Sequence, residues 1–295
     1  MGEIKTNKII LLLLITTLLA VGCSNAKAAP LAEKNKETNP EENKVKDSLI
    51  IEEDLSEFFT GYEGCFVLFN KDQNEYTIYN RDKSSKQVSP CSTYKIIHSL
   101  IGLETNILTD ENTVFKWDGT KHQIQSWNQD QTLGSAVANS VVWYFQLLAS
   151  QIGEARMQDY LDKYDYGNCD ISGGLTKFWL QSTLKISPVE QVEFLKKLYN
   201  YQLPASKKNI DIVKKIITLS DENGIKLSGK TGSGGSKTNS TYVNGWFVGY
   251  VEKENNVYFF ATNIEANGDN GKNAGGAEAK EITLKILHDK KIINP

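Results

Sequence analysis

Strand-forming runs lie at both ends of this chain and helical periodicity fills the middle, and no other feature constrains the fold as much. Residues 64–69 and 75–79 are rich in aromatic and β-branched side chains and flank a turn between Lys71 and Asn74, which reads as a pair of strands. Near the C-terminus 224–232, 242–251 and 257–262 are strand candidates. They lead into a helix over 277–287 with apolar spacing at Ile282, Ile286 and Leu287. Between the ends, 94–105, 140–152 and 189–201 carry the helical period. The expectation is a mixed α/β (α+β) fold in which strands from opposite ends of the chain share one antiparallel sheet, with a helical lobe beside it. No internal repeat is visible.

The 295 residues, 40% of them hydrophobic, suffice for one substantial core or two smaller ones. A net charge of -3 leaves no basic excess of the kind a phosphate backbone requires, which argues against a nucleic-acid partner. Lys5 and Lys8 precede an apolar run over 9–20, and small residues follow up to Gly22 and Cys23. This reads as an export signal, too short to span a bilayer comfortably. Its end resembles a lipobox, with Ala20 where that pattern prefers Leu. Residues 1–22 are therefore expected to be a lipoprotein signal peptide. Cys23 would be the lipidated N-terminus, holding an extracytoplasmic protein to the outer face of the membrane. Residues 24–47 hold no aromatic side chain and read as a tether, so 23–48 is expected to be flexible and 49–295 to be the folded domain. Cys65, Cys91 and Cys169 are odd in number and predict no disulfide framework; the first two read as small core residues.

The chemistry starts from what is missing. Only His98, His122 and His288 are present, with neither the spacing of a zinc protease nor a G-x-S-x-G elbow, so covalent catalysis here is expected to use a base other than histidine. A lysine serves when burial makes its ammonium form costly. Ser92-Thr93-Tyr94-Lys95 has that design: Pro90 interrupts any earlier helix, and an apolar helix follows, which puts Ser92 near a helix N-terminus. The spacing brings Lys95 onto the same face. The same S-x-x-K pattern occurs at Ser24 and Ser182, so alone it is weak. Its companions strengthen it: Ser140-Val141-Val142 opens the second helical run, and Lys230-Thr231-Gly232 sits on a strand candidate. S-x-x-K, a second serine motif and K-T-G together mark penicillin-recognising enzymes.

With these motifs, Tyr166-Gly167-Asn168, Phe178-Trp179-Leu180, Gln191-Val192-Glu193-Phe194-Leu195 and Gly245-Trp246-Phe247-Val248-Gly249-Tyr250-Val251 resemble class D (oxacillinase-type) serine β-lactamases over roughly residues 50 to 295. The resemblance implies a penicillin-binding transpeptidase-like fold with the site between sheet and helical lobe, a β-lactam substrate, and no metal. It implies Ser92 as nucleophile, the backbone N–H groups of Ser92 and Ser233 as oxyanion hole, and Ser140 as proton relay. Lys95 would take up carbon dioxide as a carbamate held by the Trp179 indole, inside apolar walls from Tyr94, Val142, Phe145 and Leu180. Lys230, Thr231, Gly232 and Ser233 would bind substrate. The family's carboxylate-gripping arginine is missing from Gly275-Gly276-Ala277-Glu278-Ala279-Lys280, and lysine does not replace its planar fork.

The chain also resembles the sensor domains of β-lactam receptors, which are acylated and stay so, and cell-wall transpeptidases. In both, the second motif usually ends in Asn, where this chain has Val142. A hydrolase is expected on that ground.

Overall fold

The computed structural model describes residues 48–235, 241–266 and 272–294. The expected signal peptide, Cys23 and the tether as far as Asp47 lie outside the described residues. In chain order the elements are β1 (Leu49–Glu52), β2 (Tyr62–Asn70), β3 (Glu75–Tyr79), α1 (Arg81–Ser84), α2 (Lys95–Glu104), β4 (Val114–Phe115), β5 (Gln131–Thr132), α3 (Leu133–Ala138), α4 (Val142–Ile152) and α5 (Glu154–Tyr164). There follow α6 (Pro188–Tyr199), α7 (Lys207–Ile216), β6 (Thr218–Glu222), β7 (Ile225–Gly235), β8 (Tyr242–Lys253), β9 (Asn256–Ala266) and α8 (Gly276–Asp289).

Seven strands form one sheet in the order β1-β3-β2-β9-β8-β7-β6, so the chain's two ends meet where β2 pairs antiparallel with β9. The expected shared sheet is present, with two departures at its edges. β1 runs parallel to β3, and β6, a largely exposed strand without apolar alternation, extends the far side. Four helices also escaped the periodicity reading: the short α1 and α3, and the longer α5 and α7. α5 presents only Met157, Leu161 and Tyr164 to the core, and α7 only Ile210, Ile212 and Val213, stripes too narrow to stand out from polar surroundings.

The sheet is covered on both faces. On β2, Val67 and Phe69 join the core beneath the helical lobe, whereas Phe66 and Leu68 join the core beneath α8. β8 divides in the same way between Trp246, Val248 and Tyr250 on the lobe side and Phe247 and Val251 on the other. Strand alternation thus feeds two cores from one sheet, and each fully buried large apolar side chain contributes about 1.5–3 kcal/mol. α6 lies against β2 and β9. It is started by a capping box in which Ser187 and Glu190 satisfy each other's backbone N–H.

Candidate active site

Ser92 lies in a 3-10 turn, Cys91–Tyr94, that runs directly into α2. The turn is held from the sheet. Asn244 and Trp246 of β8 both donate to the Ser89 carbonyl, at 3.0 and 2.9 Å, and the Asn244 amide also reaches Cys91 Sγ at 3.7 Å. From α6, the Gln191 amide donates to Thr93 Oγ1 at 2.9 Å. Cys91 has a left-handed backbone, φ 50°, a conformation costing about 1 kcal/mol or more for a residue with a Cβ. Those clamps sustain it.

Lys95 is wholly buried, and its Nζ lies 2.9 Å from Ser92 Oγ. Burial, with the charge of Lys230 adding to it, holds the Lys95 amine well below the usual lysine range. The walls are aromatic. Nζ lies 5.3 Å from the Phe145 ring centre, and Tyr94 stacks on Trp179 at 5.6 Å. Trp179 is fully buried, and its indole N–H has no partner among the described residues. Leu180 packs against the same core while half-buried.

Lys230 sits on β7 and donates to Ser140 Oγ at 3.1 Å and to the Thr231 carbonyl at 3.0 Å. Burial lowers it to about 8, which leaves it cationic at neutral pH. Ser140 does not begin a helix as expected. It occupies a left-handed turn, φ 55°, between α3 and α4, and helix resumes only at Val142. That kink turns the hydroxyl toward β7. β7 itself presses on the nucleophile: a Cβ on Gly232 would lie 2.9 Å from the Pro90 carbonyl and 3.3 Å from Ser92 N. The described structure therefore brings Ser92, Lys95, Ser140 and Lys230 together from a turn, a helix, a kink and a strand.

Comparison with known proteins shows the family to which the chain carrying this arrangement belongs. The family model of the penicillin-binding protein transpeptidase domain matches residues 64–288. The chain belongs to that family. Within it the chain is of the class D β-lactamase type, to which the receptor sensor domains are related. It is 42% identical over 230 residues to the probable beta-lactamase YbxI of Bacillus subtilis, covering 78% of this chain and 81% of that one. It is 46% identical over 245 residues to the regulatory protein BlaR1 of Bacillus licheniformis, covering 82% of this chain but 39% of the regulator, so the chain spans about two fifths of that relative. The solved class D beta-lactamase BAT-2 superposes with a TM-score of 0.76 at 40% identity, over 82% of this chain and 98% of that one.

The family's missing arginine is not supplied by Lys280, whose amine lies 5.8 Å over the Phe247 ring beneath α8. Instead Gly276 N, at the start of α8, donates to Ser233 Oγ at 2.8 Å, and a Cβ on Gly276 would strike Thr231 Cβ at 2.8 Å. Thr231 and Ser233 thus border the N-terminus of α8. Val142 stands at the first turn of α4, only half-buried, while Val141 is the fully buried valine of the motif. Sequence reasoning missed Asn244 and Ser89, whose hydrogen bonds cross the chain and leave no local pattern. It also missed Gln181, whose amide would be 2.6 Å from a Cβ on Gly234 and so lies across β7. Cys65, Cys91 and Cys169 are free thiols.

Proposed function

We propose that this protein hydrolyses β-lactams through an acyl-enzyme on Ser92, with Lys95 bearing carbon dioxide as the general base. The observation that carries the reading is a buried Lys95 amine, held well below the usual lysine range, 2.9 Å from Ser92 Oγ, in a pocket whose Trp179 N–H has no acceptor among the described residues. A neutral amine is the form that adds carbon dioxide, and an unsatisfied indole donor suits an anion, so the residues fit the group. When bound, it supplies a carboxylate-like proton acceptor, worth about 10²–10⁴-fold as a general base. Tyr94, Phe145 and Leu180 keep water from it, with Val142 at the rim.

Ser92 Oγ gives up its proton and attacks the lactam carbonyl. The backbone N–H groups of Ser92 and Ser233 hold the developing oxyanion. Ser140, hydrogen-bonded to Lys230, passes a proton to the departing ring nitrogen. Lys230, Thr231, Gly232 and Ser233 receive the substrate carboxylate, in the arginine's absence. The protein acts outside the cytoplasm, anchored through a lipid on Cys23. The second reading is a sensor that is acylated and stays so, favoured by the 46% identity to BlaR1.

A chromogenic cephalosporin or penicillin separates the two. Many equivalents of colour per protein are expected. A single equivalent, with a lasting adduct on Ser92 in the mass spectrum, would give the sensor reading the site instead.

A further inference from the structure

One buried group beside the base takes no part in the steps above. His98 is fully buried, three residues beyond Lys95 on α2 and hence on the same helical face. Its ring lies 5.3 Å from Trp179, edge-on at 69°, 5.3 Å from Phe145 and 5.1 Å from Tyr94. Of those aromatics, Phe145 lies 5.3 Å from the Lys95 amine and Tyr94 stacks on the Trp179 ring. Neither His98 ring nitrogen has a partner among the described residues. Burial, aided by Lys95, pushes the imidazole down to about 3, so it is neutral throughout the working pH range.

A neutral imidazole carries one N–H donor and one acceptor nitrogen. Leaving both unpaired in an apolar pocket is costly, and a leucine or phenylalanine of similar volume would avoid the penalty. The hydroxyl of Tyr94 is already directed to Met157 Sδ at 3.1 Å, outside this set. The pocket therefore holds two N–H donors without partners among the described residues, from Trp179 and His98, beside the buried Lys95 amine. That donor excess suits an acceptor anion fixed to Lys95.

We propose that His98 is a positioning residue for the base, its imidazole N–H acting as the second donor, with Trp179, to the carboxylate that carbon dioxide forms on Lys95. The inference rests on the reading of Lys95 given above. In forming that group the amine nitrogen bonds to the carbon of carbon dioxide, and one amine proton leaves to solvent. His98 takes up no proton and only stabilises the product anion.

The test titrates the full mature chain with ¹³C-bicarbonate, with no β-lactam present, and reads the labelled carbamate carbon by NMR. The parent is compared with His98→Leu and His98→Phe, which remove the donor, and with His98→Asn and His98→Gln, which restore an N–H near one or other ring nitrogen. Loss of the donor is expected to raise the bicarbonate needed for half-loading about tenfold or more, the size of a lost hydrogen bond to a charged group. At least one amide variant should recover most of it, and the melting temperatures of the apolar variants should not fall. If half-loading is unchanged in both apolar variants, or neither amide restores it, the inference is overturned and the base assignment stands. If the parent shows no labelled carbamate, the base assignment falls and the inference with it.

Discussion

Two side chains set the site's response at the residue scale. Val142, half-buried beside Ser140, is apolar where an amide would draw water toward the base. In the proposed mechanism acylation uses the base once and deacylation uses it again after the substrate is bound, so loss of the base between the steps would halt turnover selectively. Val142→Asn is expected to give a burst of one equivalent and a deacylation slowed about tenfold or more, read by stopped flow and by mass spectrometry of Ser92. Turnover equal to the parent's would show that Val142 does not guard the base. Lys230 sets the alkaline limb. Its value of about 8 lies below the ordinary 10.5, so it is charged in the folded protein only below about 8. Acylation kcat/KM should fall as pH rises through about 8, because the cation proposed to face the substrate carboxylate would be lost. Stability moves oppositely. Between about 8 and 10.5 the unfolded chain binds more protons at this lysine than the folded one, so its penalty on the fold is relieved as pH rises. A flat kcat/KM between pH 7 and 9.5 would remove Lys230 from substrate binding.

Among the elements, β7 does most to define the geometry, since it carries Lys230 and rests its backbone against the Ser92 turn. Gly232 allows that approach, because no side chain intervenes between the strand and the Pro90 carbonyl. Gly232→Ala would force strand and turn apart. A displacement near 1 Å at a reacting centre costs roughly 10²-fold in rate, whereas overpacking costs about 1–3 kcal/mol of stability. The expected result is an acylation rate down about a hundredfold in a protein that still melts cooperatively. An unaltered acylation rate would mean the contact is incidental.

At the scale of the whole molecule, the seven-stranded sheet is closed by strands from opposite ends of the chain, and the helical lobe inserted between them brings Ser92, Lys95 and Ser140 to the lobe-facing side of β7. No described helix is long and apolar enough to cross a membrane; the membrane association proposed for this protein is through a lipid at Cys23. Cys23→Ala is expected to move most of the protein from the membrane fraction to the soluble one. Labelled palmitate incorporated into the variant as into the parent would refute that anchor.

Sequence alone determined the class of fold and the motif residues, because both are written in local patterns. Strand and helix periods mark residues 64–69, 75–79, 94–105 and 242–251, and S-x-x-K and K-T-G depend on neighbours along one element. Tertiary structure decided the rest, because it depends on groups far apart in the chain. The left-handed turn at Ser140 follows from how α3 meets α4, and the clamp of Asn244 and Trp246 on Ser89 exists only once β8 lies beneath the turn. Polar helices such as α5, and an edge strand such as β6, hold their shape from the partners they meet and have no strong period of their own. The buried company of His98, a histidine that in sequence stands among ordinary core residues, appears only when Trp179 and Phe145 are folded against it.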